Sequence, residues 1–264
     1  FLRELNADYD QIAIIGSEHT HYSTAKAANL LHIKWATVKT EAKTMAVSKV
    51  GVEETISRLE KEGIKHFIVV VNMMTTMFGS VDDVNLFVDA LTKRNLTFKV
   101  HVDAAFGGFY YPFSSKNTQL TFENPHINSI TMDAHKMAQA PYGTGIFLIR
   151  KGWMQYAHTK EASYVEGQDS TLIGSRSGAN AIAVWMILMT YWKFGWHEKI
   201  FVLQKRTDWL CEKLDTLNIN YFRNPNSNIV TIESSFLSKE MASKFGLVPD
   251  NHNDPNWYKI VVME

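Results

Sequence analysis

Over the first two-thirds of the chain, short apolar and β-branched runs alternate with amphipathic stretches, the pattern of a sheet covered by helices. The runs at 11–15, 35–38, 66–71, 97–103, 129–132 and 145–149 predict strands, and 50–62 and 81–94 carry helical spacing. In the first helix Val52, Ile56 and Leu59 share one face, which packs on the sheet, and Gly63 follows as a stop signal. From 178 to 217 the chain is apolar and Trp-rich, interrupted at Phe194-Gly195-Trp196; this predicts two helices, the second bridging to a smaller domain. Beyond them, 228–233 and 258–263 read as strands and 239–245 as a helix, with a polar loop at 250–256. The pattern implies an α/β large domain over 1–200 and part of a small α+β domain over 201–264, with no internal repeat.

The length of 264 residues allows a substantial core. With 27 basic and 27 acidic side chains, charge offers no reason to propose nucleic acid or an anionic membrane as partner. Cys211 is the single cysteine, so an intrachain disulfide and a cysteine-based zinc site are excluded, and a reducing cytoplasm is the simplest compartment. No run is long enough to span a bilayer, and the acidic start is unlike a secretory signal. The chain opens without a recognisable first strand and stops inside an apolar run, as an excerpt of a longer protein would.

Chemistry gathers at the predicted strand ends, where open α/β sheets form their binding crevice. Asp133-Ala134-His135-Lys136 puts a lysine just past a strand; a neutral lysine amine forms imines with carbonyl compounds, although a lone lysine there is ordinarily solvated. His101-Val102-Asp103-Ala104-Ala105-Phe106-Gly107-Gly108 ends a strand in an aspartate followed by small residues. A carboxylate there can pair with a pyridinium nitrogen while small residues admit a flat ring; it can also cap a helix or bind metal. In His19-Thr20-His21-Tyr22-Ser23 a histidine can stack on a planar ligand or sit in a plain capping turn, and no third ligand completes a metal site. The hydroxyls of Thr75 and Thr76 can reach a ligand or cap the next helix.

In this order and spacing, His21-Tyr22-Ser23, Thr75-Thr76 with Gly79, His101-Val102-Asp103-Ala104-Ala105 with Gly108, Asp133-Ala134-His135-Lys136 and Gly174-Ser175-Arg176-Ser177-Gly178 resemble the group II pyridoxal-phosphate-dependent amino-acid decarboxylases. The nearest branch is the archaeal tyrosine/aspartate type. The resemblance implies a fold-type I large domain with a mainly parallel, seven-stranded-type sheet, and pyridoxal 5'-phosphate as cofactor. It implies Lys136 as the Schiff-base lysine, His135 near the phosphate, Asp103 on the pyridine nitrogen, Ala105 and His21 on the two ring faces, and Thr76 beside the cofactor. Tyr164 matches the loop tyrosine that donates a proton, or else packs on a partner subunit. Ser175 is implied as a cofactor-binding residue in the segment near a homodimer interface, where a neighbouring subunit can approach the phosphate, and Arg176 beside it either shares that role or forms a structural ion pair. The implied reaction is decarboxylation of an aromatic or acidic L-amino acid.

Two departures qualify the match. The glycine- and serine-rich phosphate loop that the family carries upstream of the His21 segment has no counterpart here. Lys259 stands where the archaeal pattern has arginine, a point charge in place of a bidentate fork for the substrate carboxylate. Two other readings share the motifs: a carbon–carbon lyase of the sphingosine-phosphate lyase type, and a non-catalytic partial relative.

Overall fold

The computed structural model describes residues 2–5, 7–157 and 171–264. After a one-turn helix α1 (Leu2–Leu5), the chain alternates β1 (Ile12–Ser17), α2 (Tyr22–Leu30), β2 (Lys34–Val38), α3 (Lys49–Lys61), β3 (His66–Asn72), α4 (Val84–Lys93) and β4 (Thr97–Asp103). A short α5 (Tyr111–Ser114) then precedes β5 (Ile127–Asp133) and β6 (Gly145–Ile149). These six strands form one sheet in the order β2-β1-β3-β4-β5-β6. All neighbours are parallel except β5 and β6. The expected architecture is therefore present, with six of its strands among the described residues.

Burial explains the sequence pattern. Every residue of β1 is buried, as a parallel strand covered on both faces requires, so its apolar run is continuous rather than alternating. Ser48 caps α3 by accepting from the Gly51 N–H at 2.9 Å, and Val52, Ile56 and Leu59 are fully buried. Helix α4 starts at Val84, later than the expected 81. Val81 bridges Met73 in an antiparallel pair, and Asp83 then caps the helix by accepting from the Asn85 N–H. Arg94 ties the two helices together, reaching Glu53 at 2.5 Å and Glu60 at 2.9 Å.

Helix α6 (Gly178–Thr216) is broken at Trp192 (φ 46°, ψ −172°), slightly before the expected interruption. The second segment is anchored where the Trp196 indole donates to the Phe109 carbonyl at 2.6 Å. Trp196, Ile200 and Leu203 join the main core, whereas Cys211 and Leu214 pack with Val230 and Ile232 in a second one. That second core backs an antiparallel sheet in the order β7-β8-β10-β9, formed by β7 (Tyr221–Phe222), β8 (Ile229–Glu233), β9 (Val248–Pro249) and β10 (Trp257–Val261), with α7 (Lys239–Lys244) between β8 and β9. Among the described residues no helix is long and apolar enough to cross a membrane.

Candidate active site

The sheet order reverses around β1, with β2 on one side and β3 on the other, and the crevice expected at such a switch point is present. A cleft of about 540 Å³ is lined by β1, β3, β4 and β5, chiefly toward their carboxyl ends, and by the first turn of α2. It brings together His21, Thr76, Asp103, Ala105 and Lys136 from four separate stretches of sequence.

Each is presented by a defined local structure. Asp103 is the last residue of β4, and one of its carboxylate oxygens accepts from the Ala105 N–H at 3.1 Å, which turns the chain sharply out of the strand. Two further bonds stitch this turn to its neighbours: the Met73 N–H donates to the Asp103 carbonyl, and the Asp133 N–H to the Ala105 carbonyl. Lys136 sits on the compact loop that follows β5, closed by the Lys136 N–H on the Asp133 carbonyl and the Ala140 N–H on the Ala134 carbonyl. Its ammonium lies 2.9 Å from the Asp133 carboxylate. His21 caps α2, its Nδ1 accepting from the Ser23 N–H at 3.3 Å. Thr76 rides on the turn from Met73 to Val81, whose first bend is forced by Met74 at φ 70°, a left-handed conformation uncommon outside glycine.

The other expected residues fall differently. His135 follows the cleft wall without lining it; its ring lies 5.0 Å from that of Tyr142, and its buried Nδ1 has no hydrogen-bond partner among the described residues. Lys259 on β10 lines an adjoining cavity that shares Thr76 with the cleft, and its ammonium donates to the Thr76 carbonyl at 3.0 Å. Burial, reinforced by the positive charge of Lys136, holds Lys259 below the ordinary lysine range. Ser175 is exposed and outside the cleft, and Arg176 bonds to Thr171 and to the Ile173 carbonyl. Tyr164 lies outside the described residues.

Sequence reading missed Asn72, His101, Thr131 and Asp133 as lining residues. His101 was legible in principle: two residues before Asp103 on one strand, it must share that residue's face. Its ring is held between Ser129 Oγ at 2.8 Å and Thr131 Oγ1 at 3.2 Å. Burial pushes its pKa down, against the opposing pull of the Asp103 charge.

This donor set fits pyridoxal 5'-phosphate. The Lys136 amine, the Asp103 carboxylate, Ala105 and the His21 imidazole line one space of the size that small cofactors occupy, and the buried His135 Nδ1, next to the lysine in sequence, has no hydrogen-bond partner among the described residues.

Comparison with known proteins agrees. The family model described as the pyridoxal-dependent decarboxylase conserved domain matches residues 4–200. A tryptophan decarboxylase of Clostridium sporogenes is 48% identical over 265 aligned positions, covering 100% of this chain and 64% of the relative. Two solved structures share the fold. Sphingosine-1-phosphate lyase of Burkholderia pseudomallei has a TM-score of 0.81 at 17% identity, covering 99% of this chain and 60% of its own. L-Methionine decarboxylase of Streptomyces sp. 590 has a TM-score of 0.79 at 19% identity, covering 96% and 67%. The chain thus spans somewhat under two thirds of the tryptophan decarboxylase it resembles.

Proposed function

Because the chain belongs to the pyridoxal-dependent decarboxylase family, we propose that its protein removes the carboxyl group of an L-amino acid, releasing the amine and carbon dioxide, with pyridoxal 5'-phosphate held at Lys136. The observation that carries this reading is the convergence of Lys136 and Asp103 in one cleft with His21, Ala105 and Thr76. Of the aromatic and acidic substrates that the motifs admit, the 48% identity to a tryptophan decarboxylase favours an aromatic one.

When bound, the cofactor supplies an electron-accepting ring that takes up the electron pair left as carbon dioxide departs. The chain's own residues prepare for that. Asp103 keeps a proton on the pyridine nitrogen by placing a negative charge beside it, and its backbone clamp from Ala105 fixes the carboxylate's direction. Ala105 and His21, which both line the cleft, would lie against the two faces of the cofactor ring. Lys136 would hold the cofactor covalently, and its free ammonium pairs with the Asp133 carboxylate at 2.9 Å. Thr76, which lines the cleft, would serve the cofactor's polar groups, and His135 flanks the anchoring Lys136. Lys259 offers a positive charge to the substrate carboxylate next to the cleft, as a single point rather than a fork. By the family resemblance, Tyr164 is the proposed proton donor to the substrate carbon.

We read the working assembly as a homodimer in the cytoplasm, with Ser175 near the partner. The apolar residues left exposed on the first half of α6, among them Ile182, Trp185 and Met189, support that contact. The lyase reading shares Lys136 and Asp103, and one assay separates the two. Carbon dioxide released from a panel of L-amino acids supports decarboxylation, whereas aldehyde from a phosphorylated amino alcohol with no carbon dioxide from any amino acid overturns it.

A further inference from the structure

Asp82 is fully buried, yet no part of the chemistry above uses it. A carboxyl group removed from water is costly unless several donors meet it, and here three do. One oxygen accepts from the Asn72 N–H at 2.9 Å and from the Asn72 side-chain amide at 2.6 Å; the other accepts from the Val47 N–H at 3.2 Å. The Asp82 N–H donates back to the Asn72 carbonyl at 3.0 Å. Burial still pushes the carboxyl above its ordinary range, against the pull of the Asn72 and Val47 donors.

The placement of these bonds matters more than their number. Asn72 ends β3 and lines the cleft, so the Asn72–Asp82 pair closes the base of the turn that carries Thr76. The same Asn72 amide donates to Thr20 Oγ1 at 2.9 Å, and Thr20 directly precedes His21. A single chain of hydrogen bonds therefore runs from a buried acid to both the threonine turn and the histidine turn, which stand 55 positions apart in sequence.

We propose that Asp82 is a positioning residue for the cofactor slot, acting through Asn72 on the Thr76 turn and through Asn72 and Thr20 on His21. This rests on the reading of the cleft as a pyridoxal-phosphate site. Neither Asp82 nor Thr20 lines the cleft; they set where His21 and Thr76 stand.

Since Asp82→Asn opposes an amide to existing donors and can prevent folding, the decisive variant is Thr20→Val, which removes only the last acceptor and keeps the shape. The full chain and its Thr20→Val, Thr20→Ser and Asp82→Asn variants are titrated with pyridoxal phosphate, reading both Kd and the visible circular dichroism of the bound cofactor. Loss of one hydrogen bond in the chain is expected to raise Kd about three- to tenfold in Thr20→Val. The dichroic band should change as His21 shifts, and Thr20→Ser should restore both. Wild-type Kd and dichroism in Thr20→Val overturn the inference while leaving the cofactor reading intact. A wild-type chain that binds no pyridoxal phosphate overturns both.

Discussion

Adding a methyl group at Gly107 tests how tightly the cleft is built. An ideal Cβ there would stand 2.0 Å from the Met73 carbonyl oxygen and 2.7 Å from its carbon. Ordinary van der Waals contact begins at 3.4 Å, so the methyl is roughly 1.4 Å too close to a backbone that cannot rotate away. Met73 also donates its N–H to the Asp103 carbonyl, so any retreat drags the Thr76 turn away from the end of β4. Overpacking costs about 1–3 kcal/mol, and a backbone clash belongs at the upper end. For a chain of this size about 3 kcal/mol corresponds to a fall in Tm of about 6–12 °C. Gly108 is the control. A Cβ there meets the Met132 side chain at 2.7 Å, and a methionine can change rotamer, so Gly108→Ala should cost only about 1 kcal/mol, or about 2–4 °C. Thermal unfolding followed by far-ultraviolet circular dichroism measures both variants. Equal losses, or a larger loss for Gly108→Ala, would refute the reasoning.

Three further outcomes follow from burial and charge. Lys259 is held below the ordinary lysine value by burial and then by Lys136, so the unfolded chain binds a proton that the folded chain does not hold. Stability should therefore rise with pH from the folded value up to about 10.4, and Lys259→Met should flatten that rise in urea titrations. His101 is likewise depressed by burial, so lowering the pH below about 6.5 protonates the unfolded chain first and erodes stability. His101→Gln should lessen that acid loss, and an unchanged pH profile would contradict the assignment. Arg94→Met should cost about 1–3 kcal/mol in urea unfolding, because Glu53, Glu60, Ser57 and the Ala90 carbonyl all lose their partner. Additivity with Glu53→Ala in a double-mutant cycle would show the link to be idle.

Much of this was readable from sequence because strands and their ends leave local signals. The run ahead of Asp103 marks a strand, of which Val100 and Val102 are buried, and the small residues after it mark the turn, so the position of the carboxylate followed directly. Lys136 was ambiguous by itself, since an exposed lysine has the same local sequence as an anchoring one. The Asp82–Asn72–Thr20 chain was invisible for a different reason. Its members read as an ordinary loop acid, a strand-end asparagine and a turn threonine, and only the β1–β3 pairing brings them together. The onset of α4 was misjudged because Val81 continues the helical spacing while it bonds across the turn to Met73. Spacing records which residues could share a helix face but not which competing partner takes them.

The central claim is that Lys136 anchors pyridoxal phosphate in the cleft closed by Asp103, Ala105, His21 and Thr76. Incubation of the full chain with pyridoxal phosphate, reduction with borohydride and peptide mass spectrometry test it directly. The account predicts the phosphopyridoxyl label on the peptide carrying Lys136 and its loss in Lys136→Ala. A label spread over surface lysines, or one that persists in Lys136→Ala, would contradict it.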